Sequence, residues 1–266
     1  MHLSKKLDLE MEHSRKTGDI YQYIKVRKLR TMIGPFDKYR MRLMDCVLKT
    51  NFRHGLMLDI GSNIGELVEI YRKHSSGLVL CDRDYFFLNG ARISNSGSKN
   101  IKLVSGNLRE LPFKKDTFDA VVTLQTLEHL VRDEQARAVS DIIRVAKPGS
   151  YIYISMPNRF SLAGLEGKII QLFVKGYRWD AWDTDHKYIH SSWEFVNFLK
   201  GTGRDAIDIV SVHGSYFLPG SIIIRMPLWL QGILGFLSYL FGRYLGYLFP
   251  FCCIGFTTMI TFRKKR

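Results

Sequence analysis

Acidic residues are scarce: 25 Asp and Glu stand against 39 Lys and Arg, a formal charge of +14 at pH 7. A field of that sign attracts nucleic acid, an anionic lipid surface or an acidic small molecule, and does not choose among them. Cysteine is also sparse. The four thiols, Cys46, Cys81, Cys252 and Cys253, lack the paired spacing of a zinc ribbon, and two are adjacent in an apolar stretch, so reduced thiols in a cytosolic domain are expected. The first thirty residues hold no apolar run of the kind that precedes a secretory cleavage site, so no export is expected. At 266 residues and 46% hydrophobic content, there is material for one α/β domain with an appendage and too little for two ordinary domains.

Residues 1–50 carry apolar positions at helical spacing, Ile20, Tyr23, Ile24, Val26 and Leu29, then Met41, Met44, Val47 and Leu48, interrupted by Gly34-Pro35. This spacing predicts a cap of two basic helices. From Leu56 the pattern changes to the strand, turn and helix alternation of a parallel sheet. Strands are expected at 56–60, 77–81, 101–105, 118–124 and 151–156, with helices near 85–94 and 132–146. A helix at 192–200, a strand at 207–212 and a closing strand at 256–262 complete the pattern. The catalytic domain is thereby assigned to 51–213 and 256–266, with an insertion at 214–255.

The segment Leu58-Asp59-Ile60-Gly61-Ser62-Asn63-Ile64-Gly65 follows a strand and opens a helix. In that context a glycine turn lets the backbone approach a ligand closely. Asp82 ends the next strand, where a carboxylate can accept hydrogen bonds from ribose hydroxyls. The turn reads Gly-x-x-x-Gly, without the Gly-x-Gly-x-x-Gly spacing of dinucleotide-binding domains, which remain the alternative.

With these residues, with Gly106-Asn107-Leu108 after strand three, Phe118-Asp119-Ala120-Val121-Val122 leading to Leu127-Glu128-His129, and Lys147-Pro148-Gly149 before strand five, the stretch from Leu56 to Asn158 resembles the class I S-adenosylmethionine-dependent methyltransferases. The resemblance is strongest to the small-molecule branch that includes ubiquinone- and menaquinone-type enzymes. It implies an α/β fold, a Rossmann-like, doubly wound seven-stranded sheet with an antiparallel last strand, to which the residue pattern adds N-terminal helices and an apolar helical insertion between the last two strands. It further implies S-adenosyl-L-methionine as cofactor, with Gly61 by its methionine part, Asp82 at the ribose, Asn107 at the adenine edge and Gln125 near the sulfonium, and with Asp59, Ser62, Asn63, Gly65, Arg83 and Leu108 as further cofactor-binding residues. Asn63 stands where the family often has a third glycine, and asparagine tolerates positive φ. Asn107 stands where an aspartate is common, and its amide oxygen can accept from an adenine amino group.

Methyl transfer from a sulfonium needs the acceptor aligned and, where it carries a proton, a base. His129 follows strand four on the pocket rim. A second polar and aromatic cluster runs from Trp179 to His190. His129 and His186 are the candidate catalytic residues, and Trp182, Tyr188 and His190 the candidate acceptor-binding residues. The alternatives are that Glu128 and His129 fix a loop, or that Asp183, Asp185, His186 and His190 bind a divalent cation. No metal is assigned. Ser191 or Ser192 with Glu194 is capping chemistry for the next helix.

From Ile222 to Phe256 only Arg225 and Arg243 are charged. A helical hairpin bent near Gly242-Arg243 and lying in or on a membrane surface is expected for 222–255, because a single crossing would carry the closing strand away from its sheet. Gln231, Gly235, Ser238, Gly242 and Gly246 form one small or polar stripe at helical spacing, suited to close packing. Packing on the chain's own core, or against a second copy, is the alternative. These features predict a methyltransferase at the cytoplasmic face of a membrane, acting on a quinone precursor, lipid or lipid-linked glycan. A soluble small-molecule acceptor, or a non-catalytic membrane adaptor, is the other reading. Nucleic acid is disfavoured because the end of strand four reads Leu124-Gln125-Thr126-Leu127, with no Asn/Asp-Pro-Pro-Tyr-like motif.

Overall fold

The structure is a computed structural model that describes residues 3–33, 35–52, 54–173, 185–217 and 226–266. Its strands are β1 Leu56–Ile60, β2 Gly77–Asp82, β3 Ile101–Ser105, β4 Phe118–Leu124, β5 Ala146–Pro157, β6 Ile207–Ser215 and β7 Thr257–Lys264. They form one seven-stranded sheet in the order β3-β2-β1-β4-β5-β7-β6. β1 to β5 pair in parallel, while β7 runs antiparallel to both β5 and β6. The order reverses between β1 and β4, and the crevice beyond their C-terminal ends is where open α/β sheets bind ligands.

The central strands are apolar on both sides because helices cover both. On one face α6, Arg132–Val145, and α8, Ser192–Gly203, bury Val139, Ile142, Phe195 and Leu199 against Val121, Ile152 and Ile260. On the other, α3, Pro35–Asn51, and α4, Val68–His74, bury Met44, Leu48 and Tyr71 against Met57, Val122 and Tyr153. α3 is thus part of the core layer.

Three helices precede the sheet where the periodicity predicted two: α1, Leu3–Thr17, α2, Ile20–Ile33, and α3. α1 shows little apolar spacing because Leu7 is its one buried hydrophobic side chain among the described residues. α2 sets Ile20, Tyr23 and Ile24 on Ile64, so the N-terminal helices clasp the first turn of the sheet. Arg27 of α2 donates two hydrogen bonds to the Glu66 carboxylate, at 2.5 and 2.8 Å. α5, Tyr85–Ser94, follows β2 under the cap of Asp84, whose carboxylate accepts from the Phe86 amide.

After β5 comes α7, Leu162–Phe173. Between β6 and β7 stand α9, Leu228–Leu245, and the short α10, Phe251–Ile254. The expected bend at Gly242-Arg243 is absent: α9 runs through both residues. Its glycines serve close approach instead. A Cβ on Gly246 would lie 2.7 Å from His213 Nε2, and the Gly214 amide donates to the Gly246 carbonyl at 2.9 Å. His213 is fully buried, and its Nε2–H donates to the Gly242 carbonyl at 2.7 Å. Gln231, Gly235, Ser238, Gly242 and Gly246 are all buried, so the small and polar stripe is the inner face of α9, resting on β6 and α3. No helix among the described residues is long and apolar enough to cross a membrane.

Candidate active site

The turn after β1 is held from below by β2: the Gly61 and Ser62 amides donate to the Cys81 carbonyl at 2.8 and 3.3 Å. Gly61 has φ +71, and a Cβ there would lie 2.7 Å from Thr126 Cγ2. Glycine is therefore required both by conformation and by the approach of the β4 loop. Asn63 also adopts a left-handed conformation, with φ +50, as its residue type permits. Asp59 is buried at the end of β1, and Gly65 has φ +74.

Asp82 closes the turn from β2. Its Oδ2 accepts from the Asn63 amide and its Oδ1 from the Asp84 amide, each at 3.0 Å. Burial pushes the Asp82 carboxyl above the usual range, ahead of the opposing effect of these amide bonds. Each carboxylate oxygen retains a lone pair for a further donor. Arg83 beside it is exposed. Across the crevice Asn107 turns its Oδ1 to the Arg109 amide at 3.0 Å, and Leu108 is buried.

Gln125 leaves β4 with φ +54, its amide donating to the Ser155 carbonyl and its Nε2 to Ser155 Oγ at 3.2 Å. The structure therefore brings Gly61, Ser62, Asn63, Asp82, Asn107 and Gln125 to the same C-terminal edge of adjacent strands. The buried Ser62 hydroxyl has no hydrogen-bond partner among the described residues, as suits a wall that takes a polar ligand. A glycine cradle, a half-buried carboxylate accepting from two loop amides, and an open hydroxyl fit a nucleoside carrying a charged amino-acid tail.

The acceptor side is built on a 3-10 turn, Leu127–His129. The Lys187 and Tyr188 amides donate to the Glu128 carbonyl at 2.7 and 3.2 Å, which draws the segment 185–190 onto that turn. His129 and His186 then face each other, with ring centroids 5.0 Å apart. The Glu128 carboxylate is fully buried between the two elements, 4.0 Å from His186 Nε2. One ligand atom each from Glu128, His129 and His186 lies within 4.8 Å of the others.

His190 does not line the pocket. It is 1% exposed, packed against Tyr188, Phe195 and Phe198, and burial pushes its pKa down to about 4. Tyr188 is half-buried, with the Arg132 guanidinium over its ring. Trp182, with Asp180 and Asp183, lies outside the described residues. Ser191 and Glu194 form the expected capping box on α8.

Sequence reasoning missed three positions. Gln135 of α6, fully buried, donates Nε2 to the carbonyls of Leu127, Leu130 and Tyr188. Asn158, also fully buried, donates to the Cys253 and Gly255 carbonyls and accepts from the Phe160 and Ser192 amides, tying α7, α8 and α10 to the end of β5. Asp119 was part of a recognised motif, but its work is structural: it accepts from the Leu56 amide at 2.9 Å and from Lys147 Nζ at 2.7 Å, at the far end of the sheet from the crevice. A polar residue inside an otherwise apolar helical face was the one available sign for Gln135.

Comparison with known proteins agrees with this geometry. Residues 58–154 match the family model described as a methyltransferase domain. Norajmaline N-methyltransferase of Rauvolfia serpentina is 30% identical over 102 residues, 37% of this chain and 34% of that one. Demethylmenaquinone methyltransferase of Thermobifida fusca is 30% identical over 101 residues, 37% and 42% of the two chains. The matched stretch thus spans less than half the length of these curated relatives. Among solved structures, the methyltransferase in complex with the Haloferax volcanii Trm112 activator aligns over 97% of this chain and 98% of its own, with a TM-score of 0.61 at 13% identity. The [4+2]-cyclase SpnF aligns over 85% and 80%, with a TM-score of 0.56 at 16% identity. At such identities the likeness is one of fold.

Proposed function

We propose, for a chain whose residues 58–154 are a class I S-adenosylmethionine-dependent methyltransferase domain, that it transfers the methyl group to a lipophilic acceptor at an anionic membrane surface. Gly61, Ser62 and Asn63 would receive the methionine part of S-adenosylmethionine, Asp82 the ribose hydroxyls, and Asn107 and Leu108 the adenine. When bound, the cofactor supplies an activated methyl group on sulfur. Gln125 shapes the β4 edge of the crevice, and His129 and His186 stand where an acceptor proton is to be removed.

The observation that carries the lipid reading is the inverted pattern of α9. Its small and polar residues face inward, while Trp229, Ile233, Phe236, Leu237 and Tyr244 face solvent, followed by Leu248 and by Phe249 at 84% exposure. α7 does the same with Leu165, Ile169, Leu172 and Phe173. Both helices hang from one edge of the sheet. α7 leaves the end of β5, and α9 is fastened at Gly214 near the end of β6, three strand spacings or about 14 Å along that edge from β4. The same edge bears the cofactor turn. Exposed Arg42 and Lys49 of α3, against which α9 packs, and exposed Arg243 add charge that favours anionic headgroups. Each large apolar side chain moved from water into acyl chains gains roughly 1.5–3 kcal/mol, so a few suffice to hold the chain at a surface.

The test uses outward residues only, since excision would break the packing at Gly214 and Gly246. With vesicles containing anionic lipid, the intact chain should co-float, and Trp229→Ser with Phe249→Ser should reduce flotation at least tenfold while thermal stability and S-adenosylmethionine affinity hold. Labelled methyl groups should appear in extracted lipophilic material. A chain that ignores vesicles and sediments as a dimer through this face would overturn the membrane reading.

A further inference from the structure

We propose that α1 and α2 are a clasp on the two loops of the cofactor crevice, and that Arg27 and Glu66 are positioning residues for S-adenosylmethionine. The inference rests on the placing of the cofactor at the ends of β1 and β2.

Three attachments of the helix pair fall on those loops. Ile20, Tyr23 and Ile24 of α2 bury Ile64, inside the glycine turn, in a cluster separate from the two apolar layers of the sheet. Arg27, further along α2, holds Glu66 just past the same turn through its two hydrogen bonds. Arg15 of α1 donates to the Asp84 carboxylate at 3.3 Å, with its guanidinium over the Phe87 ring. Asp84 in turn donates its amide to Oδ1 of Asp82, the acid expected at the ribose. The helices therefore bridge residues 64–66 and 82–84, two segments that a cofactor lying in the crevice also has to hold together.

The packing at this junction is close. A Cβ on Gly90 of α5 would lie 2.6 Å from Ile64 Cγ2 and 2.9 Å from Ile20 Cδ1, so the turn, α2 and α5 meet where only glycine fits. Tyr23 is set edge-on to the Phe86 ring, with centroids 5.3 Å apart, which extends the contact along α5. Asn63, the neighbour of Ile64, takes a left-handed conformation and donates its amide to Asp82. Packing of α2 on Ile64 thus steadies the residue that bonds the ribose acid.

Arg27 and Glu66 carry most of the polar attachment. Both side chains are only 16% exposed, and a two-pronged guanidinium–carboxylate contact fixes orientation as well as distance. Arg15 and Asp84, at 52% and 31% exposure, are weakened by water and salt. Coupling between the clasp and the cofactor is reciprocal: if docked helices tighten the cofactor, bound cofactor holds the helices down by the same factor.

Calorimetry with S-adenosylmethionine and amide hydrogen exchange test this on the full chain. Arg27→Met and Glu66→Gln should each weaken cofactor binding about fivefold or more, and the double variant no further than the worse single one. Bound cofactor should slow exchange across residues 20–33 in the wild type, and much less in either variant. Gly90→Ala changes no charge, should act in the same direction, and carries the test if a charge variant does not fold. A purely structural pair would lower the melting temperature and leave affinity and cofactor-dependent exchange unchanged, and that result overturns the proposal. Additive losses in the double variant overturn the joint role of Arg27 and Glu66. A wild type that takes up no S-adenosylmethionine refutes the cofactor assignment and the clasp with it, whereas binding indifferent to all three substitutions refutes the clasp alone.

Discussion

The side-chain oxygen of Gln135 lies 2.8 Å from Nε2 of His190, 55 residues away in sequence, and both groups are buried. The three carbonyls that Gln135 Nε2 serves fix the orientation of the amide, so Oε1 faces the ring. That oxygen can only accept, so His190 carries its proton on Nε2. One amide thus secures the turn at 127–130 and the segment at 188–190 together.

Replacing Gln135 by Met keeps the volume and strands these partners. Buried carbonyls without donors are costly, and a loss of roughly 3 kcal/mol in unfolding free energy is expected from urea titration. The more telling readout is local. Amide exchange at Lys187 and Tyr188 should quicken by more than the global loss explains, because their tie to the Glu128 carbonyl depends on this clamp.

Asp82→Ala should weaken S-adenosylmethionine binding by about 1.5–3 kcal/mol, since a charge-assisted ribose contact disappears. It also removes the acceptor for the Asn63 and Asp84 amides. Asp82→Asn keeps one oxygen acceptor and the shape, and should lose about tenfold in affinity. Calorimetry on both variants, with melting curves beside them, separates contact from loop loosening. Wild-type affinity in Asp82→Ala would remove the carboxylate from the site.

Acid should unfold the protein partly through His213. Burial lowers its pKa from 6.5 to about 4, ahead of the opposing effect of its bond to the Gly242 carbonyl. Between those values the unfolded chain binds a proton that the folded chain refuses. Stability is therefore complete above pH 6.5 and declines as pH falls toward 4, by at most about 3 kcal/mol for this group. His190, depressed to about 4 as well, acts in the same direction. His213→Gln, which keeps a donor for Gly242, should make the acid limb of a stability profile visibly shallower. An unchanged slope would place the cause elsewhere.

Features set by neighbouring residues were legible in the sequence. The glycine turn at 61–65, the acid ending β2, the Ser191/Glu194 cap and the small stripe of α9 all follow from spacing within one or two turns of chain. What required coordinates was set by distant partners. His186 was read as a candidate base, yet its nearness to Glu128 depends on the backbone bonds from Lys187 and Tyr188 to the Glu128 carbonyl, between segments far apart in sequence. His190 was read as an acceptor contact because it ends a polar cluster, and its burial is decided by Phe195 and Phe198 on the following helix. Gly242 was read as a hinge, because flexibility and close approach leave the same mark in a sequence.

β7 is the last strand of the sheet in chain order, yet it lies inside the sheet, between β5 and β6. During synthesis the cofactor turn and the first five strands are therefore made while β5 still presents an open edge. α7 and α9, with their outward apolar side chains, also emerge before β7 can close the gap. A nascent chain in that state offers both an unpaired strand and greasy helices, the two features that recruit other chains. Both hazards persist together until β7 pairs with β5 and β6, so the central position of a late strand prolongs the exposure of the sheet edge and of the helices beside it.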